Sequence, residues 1–585
     1  MKIMPQMFRQ TRHTLSLLAM LLFTANKGSA GLPMAPSHLQ YAIAYARQSG
    51  KPCLDVSLTF AGDASGASQL TLPSGTGPGA VAYPNIVDVQ AVSAGTTITH
   101  TDKPQAERIT YSPGQTVRVR YRIRVTDAGQ QLEHSYSPEV QADHVSILGL
   151  QLFAIPGGSM GRPLTVDVDW DALPPGWTVA DSFGIRQTRQ TFSATPETLG
   201  QSIWAAGDYR LLRTLVRGRP VFLAVRGKWP APDTQILATF SRVLSVERGF
   251  WHDNGPPSYL IVFNPNEGDN IGISFPSSFY EAGPLEEGLS FEVERIFAHE
   301  AFHAWLPYRI TLAGPASAHA WFYEGFTDSY APLFLLRSGL ITPAKYADDC
   351  NEVIRDYETS PFRSITEAQY QYGLEHGFSD YRGQQIVYRR GYLLALHWNA
   401  LIRKASRGKY SLDDVMRTLL LLAQKSKQPL PSSDLVSVMR RYAHQDVSGD
   451  ISRYCVQGRT LAPDPAALGP CASLAPTKVT LYDLGFDGYG SSQQGKILGV
   501  KPASNAYRAG LRDGQTYVDA DYEYKNPAKQ ARITIKDQGT QRVVAYYPAG
   551  QTLEMPQYKL KPDASENTCL SWFGIASPPA QTPSQ

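Results

Sequence analysis

Two histidines four residues apart, with a glutamate directly after the first, are the residues of this chain best placed to do chemistry: His299-Glu300-Ala301-Phe302-His303. Positions i and i+4 of a helix share one face, so both imidazoles can bind one ion while Glu300 sits beside the water that the ion holds. The chemistry implied is metal-assisted hydrolysis. Zinc lowers the pKa of its water toward about 7 and polarises a carbonyl. Glu300, not a ligand, takes the proton and passes it to the leaving amine. Catalytic zinc has three protein ligands and one open position. The third is Glu324, in Trp321-Phe322-Tyr323-Glu324-Gly325-Phe326-Thr327-Asp328. Asp328 lies one turn further along the same face, where it can accept a hydrogen bond from a ligand histidine and fix its tautomer. The aromatic neighbours of Glu324 argue against a fully solvated face.

These residues need rigid elements to hold them. Phe291 to Trp305 reads as a helix that Ser290 can cap and Pro307 stops, and Glu324 lies on a second helix after a short connection. Ahead of them, Val221–Val225 reads as a strand, Thr234–Phe250 as a helix, and Tyr259–Phe263 and Ile271–Phe275 as strands. From Ser290 to about Tyr454 the chain is mostly helical, an α+β pattern over 201–455. Residues 31–200 carry short alternating runs such as Val56–Phe60 and Val117–Ile123 between Pro- and Gly-rich breaks, which predicts a β-sandwich. The Pro-, Ala- and Gly-rich stretch 456–477 reads as a linker, 478–560 as a small β-rich module, and 561–585 as a C-terminal tail, disordered from Pro578. The chain is thus expected to be a multidomain α+β protein.

Composition sets outer limits. Of 585 residues, 42% are hydrophobic and 18% charged, enough apolar material for several folded domains. Residues 1–30 read as a signal peptide: Lys2, Arg9 and Arg12 precede the apolar run Leu15–Ala25, and Gly28-Ser29-Ala30 offers a cleavage site. The run falls short of the about 20 apolar residues of a membrane span, so the mature protein is expected to be exported, periplasmic or extracellular, with no integral membrane span. Removing these residues takes the formal charge from +3 to −1. A near-neutral protein without a dense basic run excludes nucleic acid as partner. The five cysteines have no metal-type spacing; Cys455 and Cys471 can close a short loop, connectivity being open, and the odd number leaves at least one thiol outside any intrachain pairing.

With these residues in view, His299-Glu300-x-x-His303-x-Trp305 and Trp321-Phe-x-Glu324-Gly325-Phe-Thr-Asp328 resemble the glycyl aminopeptidase family of gluzincin metallopeptidases. Arg337-Ser338-Gly339-Leu340-Ile341-Thr342 and Tyr388-x-x-Gly391 resemble the family's downstream helices. The resemblance implies a β-rich N-terminal domain, a thermolysin-like catalytic domain holding Zn2+, and a PDZ-like C-terminal domain. It further implies that Tyr388 donates a hydrogen bond to the developing oxyanion. The family's Gly-Gly-Leu-Glu-His type segment, whose acid meets the substrate α-amine, is matched by Gly272-Ile273-Ser274-Phe275-Pro276-Ser277-Ser278. Gly272 and Ser274 are therefore candidate substrate-binding residues, but Ser274 stands where the acid belongs and a hydroxyl cannot offset an ammonium. Glu267 and Glu281 are the nearby carboxylates that could take its place. Leu484-Gly485-Phe486, followed by Ile497 to Gly514, resembles a PDZ domain, whose loop amides capture a C-terminal carboxylate while the peptide adds as a strand.

The leading expectation is a secreted zinc peptidase acting on peptides, an aminopeptidase by resemblance. An endo- or oligopeptidase without an amine anchor, a non-catalytic peptide-binding scaffold that keeps the fold, and a non-peptidase zinc hydrolase remain open beside it.

Overall fold

The computed structural model describes residues 36–74, 86–102, 106–124, 138–159, 161–266, 270–285, 288–378, 380–537, 539–562 and 564–575. The expected signal peptide, Glu267 and the stretch from Pro578 lie outside the described residues.

Alternation drives the N-terminal part. In the strand His38–Gln48, Leu39, Tyr41 and Ile43 are buried while their neighbours face outward, and Thr116–Arg124 repeats the pattern with Val117, Val119, Tyr121 and Ile123. These strands belong to a six-stranded sheet ordered Arg189–Ala194, Leu164–Ala172, His38–Gln48, Lys51–Ala61, Thr116–Arg124, Ile86–Ala91. Its inner face shares one core with a four-stranded sheet containing Ala67–Thr71 and Ala106–Thr110. A five-stranded sheet containing His144–Leu148 and Ile203–Gly207 joins the same core.

A fourth sheet begins at Arg210. Its order is Arg210–Val216, Arg219–Val225, Tyr259–Pro265, Ser278–Gly283, Ile271–Phe275, the last pair antiparallel, so Ile271–Phe275 is an edge strand. Helices Asp233–Trp251 and Phe291–Phe302 share a core with this sheet, and that core continues into the helices that follow.

Two of those helices cross unusually closely. A Cβ on Gly325, in helix Ala320–Arg337, would lie 2.4 Å from the Gly391 Cα, and one on Gly391, in helix Arg382–Ala405, would lie 1.9 Å from the Trp321 carbonyl oxygen. Only hydrogen fits at either position, and the obstructing atoms are backbone. Gly391→Ala is therefore expected to force the helices apart and cost about 3 kcal/mol or more. A urea midpoint equal to that of the unaltered protein would show that the crossing yields easily.

The C-terminal region departs from expectation in three respects. Residues 456–477, expected as a linker, are packed: Leu461, Ala467, Leu468 and Cys471 belong to the helical core, and Tyr357 accepts a hydrogen bond from the Leu461 amide. Within the expected tail, helix Glu566–Trp572 docks on the same core, and Cys569 is bonded to Cys471. Cys455 is a free, buried thiol, so the bridge considered between Cys455 and Cys471 is replaced. The reason is spatial, since the ribbon Ala472–Tyr482 with Ala549–Leu560 returns the chain to the start of its own module.

The third departure concerns the PDZ-like loop. Leu484 and Phe486 are buried in the module's own core with Ile497, Leu511 and Ile533. The Gly485 amide donates to Asp483 Oδ1 at 3.0 Å, and from Gly488 to Gln494 the chain is helical. One of the expected carboxylate-binding amides thus has an internal partner.

Candidate metal centre

Helix Phe291–Phe302 starts where Ser290 Oγ accepts from the Val293 amide, with Glu292 and Glu294 in its first turn. Acids there complement the positive end of the helix dipole. It ends earlier than the expected Trp305: the amides of His303, Ala304 and Trp305 bond to carbonyls three residues back, tightening the last turn. His303 retains right-handed helical dihedrals as the cap residue, so its ring stays on the His299 face.

His299 and His303 are fully buried, with rings nearly perpendicular at 87° and centroids 4.8 Å apart. Glu324 Oε2 lies 3.3 Å from His299 Nε2 and 3.6 Å from His303 Nε2. Tetrahedral zinc with bonds of about 2.0–2.1 Å separates its ligand atoms by about 3.3–3.4 Å, so Glu324 Oε2 stands near ligand spacing from each imidazole nitrogen. His303 Nδ1 donates to the Leu306 carbonyl at 2.7 Å, which leaves the Nε2 lone pair bare, and that buried Nε2 has no hydrogen-bond partner. Ligand atoms of His299, Glu300 and His303 also lie within 4.8 Å of one another. Electrostatics agree with the geometry. Burial works against a charged His299 ring, but Asp328, Glu324 and Glu300 outweigh it and push the ring up to about 9. Burial pushes His303 down. The centre therefore favours one positive charge, either a proton or a metal that displaces it.

Behind His299, Asp328 is wholly buried, with Oδ1 3.7 Å from His299 Nδ1. Arg295 donates to Asp328 Oδ1 at 2.7 Å and Arg389 to Oδ2 at 3.0 Å. Burial alone would raise this carboxyl, but the two guanidiniums and His299 hold it well below the usual range. Arg295 is held in turn by Asp349 at 3.1 Å. Sequence reasoning missed Arg295, Arg389 and Asp349, since no spacing rule marks them. The signal available was three charged residues inside otherwise apolar helix faces.

Glu300 is nearly buried, and Ser274 Oγ donates to its Oε2 at 2.8 Å. The Ser274 carbonyl accepts from the Tyr308 hydroxyl at 3.1 Å. Ser274 thus reaches the site, with its hydroxyl committed to Glu300. Gly272 lies under the helix: a Cβ there would meet Ile296 Cγ2 at 2.6 Å and Glu300 Cγ at 3.0 Å, so its bare Cα permits the close approach. Opposite Gly272 in the antiparallel pair stands Glu281, wholly buried and with neither carboxylate oxygen hydrogen-bonded. Burial, and then the nearby Glu300 charge, push its carboxyl well up.

Tyr388 is buried with its ring stacked 6.1 Å from that of His299. Burial, followed by the charges of Glu324 and other neighbours, keeps its hydroxyl protonated. The close helix crossing at Gly325 and Gly391 brings Glu324 and Tyr388 into this one site. His319, whose Nε2 is 3.0 Å from the Ala313 carbonyl, and His397, paired with Asp464 at 2.7 Å, have partners outside it.

The family model of the M61 glycyl aminopeptidase matches residues 292–394. That span contains His299, Glu300, His303, Glu324, Asp328 and Tyr388. An aminopeptidase N family protein from Idiomarina loihiensis superposes with a TM-score of 0.67 at 16% identity, over 92% of this chain and all of that one. At that identity the likeness is one of fold. A mutant M1 zinc metallopeptidase from Deinococcus radiodurans bound to a Tyr-Ser-Ala substrate aligns with a TM-score of 0.46 and 17% identity, over 74% of this chain and 96% of that one. No curated protein matches the chain in sequence. Among the described residues, no helix is long and apolar enough to cross a membrane.

Proposed function

We propose that this protein is a zinc metallopeptidase in which His299, His303 and Glu324 hold the metal and Glu300 is the general base. The observation that carries this reading is the position of Glu324 Oε2, 3.3 and 3.6 Å from the two imidazole Nε2 atoms. When bound, zinc supplies Lewis acidity toward a carbonyl and lowers the pKa of water. Glu300, oriented by Ser274, accepts the proton of the attacking water and delivers it to the leaving amine. The Tyr388 hydroxyl donates to the carbonyl oxygen as negative charge grows there. Asp328, with Oδ1 3.7 Å from His299 Nδ1, compensates the charge of that ring.

The resemblance and the family match support aminopeptidase action. Ser274 favours a second reading, cleavage of bonds with no free amine beside them, because its hydroxyl serves Glu300 and carries no charge to meet an ammonium. Glu281 is the described carboxylate placed to meet one instead. Export is proposed from the basic, apolar and small-residue order of residues 1–30. The C-terminal module is assigned a packing role, since its Leu484 and Phe486 side chains are spent on its own core.

Purified protein is expected to carry about one zinc per chain, as this ligand set implies, and to cleave a mixed peptide library. Chelation should stop the cleavage and added zinc restore it. No stoichiometric metal, or turnover indifferent to chelation, would overturn the proposal. In the same digests, products only from free-amine peptides would select the aminopeptidase, and cleavage of N-acetylated peptides the alternative.

A further inference from the structure

The metal centre is connected to the C-terminal module by a chain of charges. Asp328, behind His299, is shared by Arg295 and Arg389. Arg389 Nη2 lies 3.4 Å from Asp356 Oδ2, and the same Asp356 oxygen lies 3.1 Å from Lys525 Nζ. Lys525 also contacts Glu352. Helix Pro343–Thr359 carries Asp349, Glu352 and Asp356 on the face that meets the two arginines, and Lys525 comes from a different module altogether. The outer pair is partly exposed, Lys525 at 28% and Asp356 at 30%, whereas Arg389 is 9% exposed and Asp328 not at all. The attractions are therefore least screened where they reach the histidine.

Charge counting shows what Lys525 does. Without it, the two guanidiniums of Arg295 and Arg389 face four carboxylates: Asp328, Asp349, Asp356 and Glu352. Asp356 and Glu352 would then draw Arg389 outward, and Asp328 Oδ2 would lose its donor in a place water does not reach. With Lys525 offsetting one of the two outer negative charges, the outward pull is weaker and Arg389 stays on Asp328. A second observation points the same way. Lys525 has φ +61°, a left-handed conformation that side chains other than Asn and Asp enter reluctantly. Its conformation is what the chain accepts to present this ammonium to the acidic face.

We propose that Lys525, presented by the C-terminal module, is a positioning residue for the metal centre, acting through Asp356, Arg389 and Asp328 on His299. This rests on the zinc reading above. The module is anchored independently, by Asn351 with the Tyr558 backbone, by Arg355 with Gln557 and by the Cys471–Cys569 bridge, so removing one ammonium leaves it docked.

The test uses the zinc-loaded full-length protein and a chromogenic chelator. It reads the rate of zinc capture, with kcat and KM on one peptide substrate alongside. Loss of a group touching a ligand histidine typically costs about 10–100-fold in metal affinity. From its more distant place, Lys525→Met is expected to speed zinc release about three- to tenfold and lower kcat with little change in KM. Lys525→Arg should behave as wild type. The double variant Lys525→Met with Asp356→Asn should recover most of the loss, because the uncompensated carboxylate is gone. Lys529→Met, which removes only an exposed partner of Glu523, should have no effect. Zinc release from Lys525→Met within twofold of wild type would overturn the proposal. So would an equal defect in the double variant, which would mark a packing loss. A wild-type protein with no zinc to release would overturn the metal reading itself, and this inference with it.

Discussion

Glu300→Gln is expected to lower kcat/KM by about 10³–10⁴-fold while zinc content stays at the wild-type level. General acid–base catalysis by one positioned side chain contributes about 10²–10⁴-fold, and Glu300 acts twice, taking a proton from water and giving one to the amine. The substitution is nearly isosteric, and Glu300 is outside the three-donor set formed by His299, His303 and Glu324. The amide oxygen of the substituted side chain can still accept the hydrogen bond that Ser274 Oγ gives to Glu300 Oε2, so the local packing is retained. The measurement is steady-state cleavage together with metal analysis of the same samples. Turnover equal to wild type would remove Glu300 from the mechanism, and zinc loss in parallel with activity would make it a ligand.

Asp328→Asn is expected to cost about 3–5 kcal/mol of stability, the range for breaking a buried ion pair, and to weaken zinc binding about 10–100-fold. The carboxylate is wholly buried between Arg295 and Arg389, so the neutral amide leaves two guanidiniums with less than their charge compensated. An amide nitrogen would also face a donor on one side. The sign of the pH dependence follows from the depressed folded-state pKa. Stabilisation by Asp328 is fully present above its unfolded value of about 3.9 and is lost as pH falls below it toward the folded value. Urea unfolding at neutral pH and at pH 3 is the check. A variant as stable as wild type at neutral pH would show that the arginines find other partners.

The two predictions differ in how far the sequence alone could support them. His299, Glu300 and His303 follow from local geometry, because a helix places i and i+4 together whatever the rest of the chain does. Glu324 and Asp328 are also one turn apart on one helix, and Ser290 marks the start of the first helix by a hydrogen bond made within a few residues. The strands Ile271–Phe275 and Tyr259–Pro265 declare themselves through runs of apolar residues in the same local way.

Contacts between distant segments are another matter. That Ser274 gives its hydroxyl to Glu300 depends on how the edge strand seats beneath the helix, which Gly272 permits by having no Cβ. Arg295, Arg389 and Asp349 converge on Asp328 and one another only after four helices have packed. Cys471 meets Cys569 rather than Cys455 because a long ribbon returns the chain to its base, a matter of 98 residues of separation. Leu484 and Phe486 turn into the module's own core, a placement that depends on residues as distant as Ile533. By itself, the sequence determined that His299 and His303 share one helix face with Glu300 beside them, and that Glu324 and Asp328 share another, through backbone periodicity encoded in neighbouring residues. Tertiary structure alone decided that Glu324 meets the two histidines and what surrounds them, because the charges and hydroxyls involved lie far apart in the chain and meet only through the packing of whole elements.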